Sequence, residues 1–228
     1  MQIASGTSDC TQSSIAVSPA ELLLLREMTH RIKNELTSTI CHISLLAARS
    51  PHRVAKLALA EVIEHLEDHA RLYQELQMPT HNRLVNATKY LRALCQTIAR
   101  AKLEKRRVEL VLIEHQIQLH SLQCWRLGMI ISELITNSYR HAFGDNGGTI
   151  CVELKRRGNI AECRVTDDGS SSDIVRSGHG LSIVRQLAGA LGGNIDLQFG
   201  QDGAVAVLSF PMPMQTLEGQ AATRSSSQ

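Results

Sequence analysis

Apolar residues recur at spacings of three and four along the first part of the chain: Leu22, Leu25, Met28, Ile32, Leu36, Ile40, Ile43 and Leu46. That spacing lays one continuous stripe along a helix. Ser18-Pro19-Ala20-Glu21, just before it, is a capping box with proline at the first helical position. Pro51 ends the run, and Ser50-Pro51 can start a second helix. Leu59, Val62, Ile63, Leu66, Tyr73 and Leu76 continue the helical period from Arg53 to Gln77. Residues 18–78 are therefore predicted to form a long antiparallel hairpin of two helices with a short connection. A lone hairpin buries little surface, and this stripe is close to a coiled-coil seam. Pairing of two hairpins into a dimeric four-helix bundle is the expected remedy, with packing on the chain's own C-terminal half as the alternative.

Met78-Pro79-Thr80-His81-Asn82 breaks the pattern, and residues 79–83 are assigned as a linker. Beyond it the periodicity becomes mixed. Arg83–Lys105 is predicted helical, Arg107–Glu114 β-rich, and Ser121–Phe143 helical. Gly148–Lys155 and Asn159–Thr166 are predicted strands; in the second, Ala161, Cys163 and Val165 alternate with Glu162 and Arg164. Gly180–Leu191 is predicted helical and ends at Gly192-Gly193, a natural C-terminal cap. Asn194–Phe199 and Gly203–Phe210 form a closing pair of strands. The fold class is α+β: the helix hairpin, then an α/β sandwich over residues 84–212 with helices on one face of a mostly antiparallel sheet. Residues 1–17 and 213–228, rich in Ser, Thr, Gly and Gln, are expected to be disordered tails.

Composition narrows the function classes. Lys and Arg number 24 against 22 Asp and Glu, and aromatics are 3 %. A balanced charge with so few stacking side chains gives no case for nucleic acid. No apolar run approaches the ~20 residues that span a bilayer, and no signal peptide is evident, so direct membrane insertion is not expected. The six cysteines form no C-x-x-C pair, and several lie in apolar runs. They suit reduced core positions in a cytoplasmic protein.

Four stretches could carry chemistry. The first is "EMTHRIKNEL", Glu27 to Leu36. With Leu25 at the centre of the stripe, His30 falls roughly 140° away on the helix, facing solvent. An exposed imidazole is a competent nucleophile near neutral pH, although many such histidines are ordinary surface residues. The second is Glu133, Asn137, Arg140 and His141, which share one helix face at spacings of four, three and one. A carboxylate, an amide oxygen and a cation together suit hydrated Mg²⁺ and phosphates, or simply a solvated face. The third is Val165-Thr166-Asp167-Asp168-Gly169 at a strand end. Its carboxylate could accept from an exocyclic amine such as that of adenine, or the segment could be a plain Asp-Gly turn. The fourth is Gly178-His179-Gly180-Leu181, opening a helix whose free N–H groups could face phosphate or serve only as a loop-to-helix junction.

Taken together and in this order, the four stretches resemble bacterial sensor histidine kinases, in the subgroup whose phosphoacceptor box reads H-R-x-K-N. That box matches at His30, Arg31, Lys33 and Asn34. "HARLY" at His69–Tyr73 resembles the family's second-helix segment, "ISELITNSYRHAF" its N-box, "VTDDG" its first glycine box and "GHGLSIV" its second. The resemblance covers roughly residues 20–211. It implies a helix hairpin for dimerisation and histidine phosphotransfer, joined to a GHKL-type ATP-binding domain. It implies His30 as phosphoacceptor, with Glu27, Arg31, Lys33 and Asn34 as its environment. It implies Asn137 as Mg²⁺ ligand, Glu133 acting on metal through water, Arg140 near the phosphates, and His141 among the ATP-binding residues. Asp167 would take the adenine amine, while Gly169, Gly178, Gly180 and Leu181 would shape the pocket.

The expected function is thus a two-component kinase. It would autophosphorylate His30 from Mg-ATP and pass the phosphoryl to an aspartate of a response regulator receiver domain. With only a short tail before the hairpin, no sensor domain of its own is expected, and a separate sensor protein is a possible partner. Two departures support an alternative, a histidine phosphotransfer protein with a degenerate ATP domain. Ser171 stands where the first glycine box usually has a second glycine, and only Ser170–Ser177 separates Gly169 from Gly178, a short lid.

Overall fold

The computed structural model describes residues 19–104, 107–143, 147–170, 179–200 and 202–213. Helix α1 runs Pro19–Arg49 and α2 runs Arg53–Glu75. They pack against each other as the expected hairpin. Ser18 of the capping box lies outside the described residues. The turn is made by Ser50, whose Oγ accepts from His52 N at 3.3 Å. This delays α2 to Arg53, two residues past Pro51.

The α1 stripe does not face a single neighbour. Leu36, Ile40 and Ile43 are half-buried along the hairpin. Met28 remains 53 % exposed, and Ile32, Leu45 and Leu46 are also exposed. Across the hairpin, Val54, Leu57 and Val62 of α2 are exposed as well. Among the described residues, a single hairpin of these helices therefore leaves several apolar side chains exposed to water.

The C-terminal half is built on a five-stranded sheet. Its strands are β2 (Val108–Glu114), β4 (Gly148–Arg157), β5 (Ile160–Asp167), β6 (Asn194–Gly200) and β7 (Gly203–Pro211). Their order is β2-β4-β5-β7-β6. β2 pairs in parallel with β4, and every other neighbour is antiparallel. Period-two alternation decides which face is dry. Ile150, Val152 and Leu154 on β4, Ala161, Cys163 and Val165 on β5, and Ala206, Leu208 and Phe210 on β7 are all buried. Helices α3 (Ala87–Ile98), α4 (Ser121–His141) and α5 (His179–Ala190) form the helical layer. Leu91, Leu94 and Ile98, with Leu127, Ile131 and Ile135, complete the core with no exposure.

Three local details differ from expectation. The stretch expected as one helix from Arg83 to Lys105 begins as a short strand, β1 (Leu84–Asn86). It pairs with β3 (Gln118–His120), which the sequence reading left unassigned. Asn86 then caps α3, its side chain accepting from Lys89 N at 2.9 Å. Past Ile98 the helix widens into a π-helical turn, Ala99–Leu103.

The hairpin is tied to this half at the end of α2. Backbone carbonyls there have no partner within the helix. Trp125 Nε1 of α4 donates to Leu76 O at 2.9 Å, and Tyr90 OH of α3 donates to Glu75 O at 3.3 Å. The connecting segment is held likewise: Ser121 Oγ donates to His81 O at 2.6 Å, and Asn82 Oδ1 accepts from Leu122 N at 3.2 Å. No helix among the described residues is long and apolar enough to cross a membrane.

Candidate functional site

Helix α4 sets most of the site. Leu127, Ile131 and Ile135 bury one side of it. The opposite side therefore presents Glu133 and Asn137, half-buried, and Arg140 and His141, exposed. Beside it opens a pocket. Asn137, Ser138 and His141 of α4, Val165 and Asp167 of β5, and Leu181 of α5 line it. Leu197 and Phe199 of β6, with Ala204 to Ala206 of β7, close the far side. The walls are mostly apolar, with a single carboxylate.

That carboxylate is Asp167, 8 % exposed. Ser138 Oγ donates to its Oδ2 at 2.5 Å, while Ala204 N at 3.1 Å and Gly169 N at 3.3 Å donate to Oδ1. A helix, a loop and a strand thus fix one buried acceptor, with lone pairs remaining. An apolar slot with a fixed acceptor suits a flat heteroaromatic ring carrying an amine. Gly169 is required by close approach: a Cβ there would strike the Ala142 carbonyl and methyl. The neighbouring Asp168 faces away and accepts from Thr149 N at 2.7 Å, closing the loop onto β4.

Glu133 and Gly180 meet. A Cβ on Gly180 would collide with Glu133 Oε1, so the carboxylate reaches the first turn of α5. Gly178 and residues 171–177, the expected lid, lie outside the described residues. Arg140 is not among the pocket's lining residues.

Mg²⁺ binds few protein ligands and keeps several waters alongside substrate phosphates. Among the described residues no group of three or more His, Cys, Asp or Glu forms a metal cage. Glu133 and Asn137, one turn apart, offer one carboxylate and one amide oxygen. That donor set fits a hydrated ion shared with phosphates, and not a protein-enclosed one.

His30 lies elsewhere, exposed on α1. Asn34 Nδ2 is 3.3 Å from His30 Nδ1, one turn along. Arg31 pairs with Glu27, Nε to Oε1 at 3.0 Å, which engages Glu27 away from the imidazole. Lys33 turns toward the hairpin interior and is half-buried. The sequence reading missed Lys102 of the π turn. Its Nζ donates to Thr136 Oγ1 at 2.7 Å, one residue from Asn137. It also missed Ser138, whose hydroxyl holds Asp167. The cysteines offer no competing chemistry at the core: burial pushes the Cys95 and Cys124 thiols up to about 12.

The comparisons with known proteins agree with this geometry. A family model described as Histidine kinase matches residues 27–102. A second, Histidine kinase-, DNA gyrase B-, and HSP90-like ATPase, matches residues 125–214. Blue-light-activated histidine kinase 2 of Erythrobacter litoralis (strain HTCC2594) is 26 % identical over 203 residues, 84 % of this chain and 58 % of that protein. Sensor histidine kinase PdtaS of Mycobacterium tuberculosis is 25 % identical over 201 residues, 82 % of this chain and 39 % of that protein. The chain thus spans between two fifths and three fifths of these relatives. The solved histidine kinase domain of the Erythrobacter litoralis EL346 blue-light activated histidine kinase shares the fold. Its TM-score is 0.55 at 20 % identity, over 78 % of this chain and 96 % of that one. By both of its domains the chain belongs to the histidine kinases, a histidine kinase segment followed by an ATPase domain of the kind shared with DNA gyrase B and HSP90.

Proposed function

We propose that this chain is an ATP-dependent protein-histidine kinase of a two-component system. It transfers the γ-phosphoryl of Mg-ATP to His30 and passes it to an aspartate of a response regulator receiver domain. One observation carries the reading: Asn137 of the N-box, Asp167 of the first glycine box and Leu181 of the second line one pocket. Nothing in local helix or strand packing requires these distant segments to converge on a cavity with a fixed carboxylate.

In this reading Asp167 accepts from the adenine amine, and Val165, Leu197 and Phe199 cover the ring faces. Asn137 and Glu133 would hold a hydrated Mg²⁺, Arg140 would stand by the phosphates, and His141 would contribute to the nucleotide pocket. Gly169 and Gly180 would keep the backbone close to the nucleotide. Bound Mg²⁺ would supply charge neutralisation on the phosphates. The imidazole attacks the γ-phosphorus, a nitrogen–phosphorus bond forms, and the bond to the bridging oxygen breaks to release ADP.

Asn34 prepares the nucleophile. With its amide turned over, Asn34 Oδ1 would accept a hydrogen bond from Nδ1–H of His30 and leave the Nε2 lone pair facing solvent. The exposed apolar side chains of both hairpin helices are covered by a second copy in a homodimer. Calorimetric titration with ATP tests the nucleotide site. The wild-type protein should bind, and Asp167→Asn, which reverses half of the acceptor's hydrogen bonding, should lose binding. A wild-type protein that binds no nucleotide would overturn the kinase reading and leave His30 as a receiver of phosphoryl from another protein.

A further inference from the structure

Several hydroxyls inside the helices bond within their own turn. Thr37, Thr39, Ser44, Thr97 and Thr136 each donate to the carbonyl four residues earlier. That is a common resting place for a helical hydroxyl. Ser138 of α4 does otherwise. Its Oγ donates across the fold to Asp167 Oδ2 at 2.5 Å, a partner 29 residues away. The bond is short, as an O–H donating to a carboxylate is. Backbone packing enforces it. Ala142 N, one turn along α4, donates to Ser138 O at 2.8 Å. The loop after β5 lies so close that a Cβ on Gly169 would strike the Ala142 carbonyl. At the start of β7, a Cβ on Gly203 would strike the Asp167 carbonyl. The end of α4 and the start of β7 thus hold Asp167 between them.

A carboxylate offers about four acceptor positions. Ala204 N at 3.1 Å and Gly169 N at 3.3 Å take those of Oδ1. Ser138 takes one of Oδ2, so one position is left, on the oxygen that Ser138 holds. The Ser138 hydroxyl has used its hydrogen on Asp167 and keeps only acceptor lone pairs. Ser138 and Asp167 both line the pocket, so this corner accepts and does not donate. A ring amine meets it well. A ring carbonyl in the same place meets lone pairs, unless Ser138 turns its hydroxyl away and gives up a hydrogen bond to a charged group.

We infer that Ser138 is a positioning residue that makes the pocket selective for a base with an exocyclic amine, by pinning Asp167 Oδ2 so that its remaining lone pair meets that amine. This rests on the nucleotide reading above. Without Ser138, Oδ2 loses its anchor, and the terminal torsion of an aspartate is broad. A serine that merely fastened α4 to β5 would, once removed, weaken every nucleotide alike. A serine that sets the acceptor changes the preference between bases.

The test measures calorimetric affinities, with Mg²⁺ present, for three triphosphates: ATP, purine riboside triphosphate with hydrogen in place of the amine, and inosine triphosphate with a carbonyl there. Wild type, Ser138→Ala and Ser138→Thr are compared, and thermal melting reports the fold. The wild type should prefer ATP to both analogues. Ser138→Ala should weaken ATP by roughly tenfold, the scale of one hydrogen bond to a charged group, and purine riboside triphosphate by less than about twofold. Its preference for ATP over inosine triphosphate should shrink as well. Ser138→Thr, which keeps the hydroxyl, should restore both preferences. An unchanged preference in Ser138→Ala, or an equal loss for all three triphosphates, would overturn the role. If Ser138→Ala does not fold, Ser138→Cys decides, because a thiol is a weak donor of similar shape. A reduced ATP preference there supports the role, and a wild-type preference overturns it. A wild type that binds all three alike overturns amine recognition by Asp167 and this role with it. A wild type that binds no ATP overturns the kinase reading itself.

Discussion

At the scale of single residues, Glu27 and Asn34, about one turn either side of His30, are not equivalent. Glu27 is held by Arg31 at 3.0 Å, while Asn34 lies against the imidazole at 3.3 Å. Asn34→Ala should therefore slow labelling of His30 by about tenfold through lost orientation, with KM for ATP unchanged. Glu27→Gln should leave the rate near wild type. Initial-rate labelling of both variants checks this, and the reverse ranking would contradict it. His69 gives a pH signature. Burial, His65 and Lys102 depress its pKa below the ordinary 6.5, with Asp68 acting in the opposite sense. The unfolded chain takes up that proton first. Stability from the neutral ring is full above about pH 6.5 and is lost as pH falls toward the folded value. Melting temperature should thus drop more steeply between about pH 7.5 and about pH 5 in the wild type than in His69→Gln. The residues that line the pocket from motifs, Asn137, His141, Asp167 and Leu181, could be named from the chain because their spacing is local. Ser138 and Lys102 could not. Their roles depend on a partner 29 and 34 residues away, which no local period encodes.

Among the elements, length decides what periodicity reveals. Helix α1, with 31 residues, is long enough to show eight positions of its stripe and starts at the expected Pro19. Strands β1 and β3 have three residues each, too few to display alternation. Leu84 and Val85 run into the apolar spacing of α3, so the strand is absorbed into a helix until its pairing with β3 is seen. The π turn is hidden for the same reason, since one extra residue per turn only shifts a pattern. The closing strands β6 and β7 were legible as strands, yet not as walls of the pocket, because the placing of β7 beside β5 and of β6 at the sheet edge is set by sheet order. Gly169 tests how tightly the elements around Asp167 fit. A methyl at Gly169 meets the backbone carbonyl of Ala142 at the end of α4. Gly169→Ala should cost ~1–3 kcal/mol in chemical denaturation, as overpacking does, and weaken ATP binding with it.

For the whole molecule, one feature points to a second copy and another leaves two routes for transfer. The exposed apolar side chains of Met28, Ile32, Leu45 and Leu46 have no cover within the chain among the described residues. Burying an isoleucine side chain yields about 1.5–3 kcal/mol, so one charged substitution on that face should matter. Ile32→Glu is expected to shift the protein from dimer to monomer in sedimentation velocity, with its ATP binding retained; a monomeric wild type would contradict the bundle. The second feature is separation: among the described residues, none of α1 lines the pocket. In the proposed reading, transfer requires the ATP domain to move against the hairpin, or to serve His30 of another copy. The measurement that reaches the central claim most directly is labelling with γ-labelled Mg-ATP, scored for acid-labile, base-stable phosphate. Such label on the wild type, absent from His30→Ala and from Asn137→Ala, is the predicted result. Label that survives in His30→Ala, or a wild type that binds ATP and takes up no label, would contradict it.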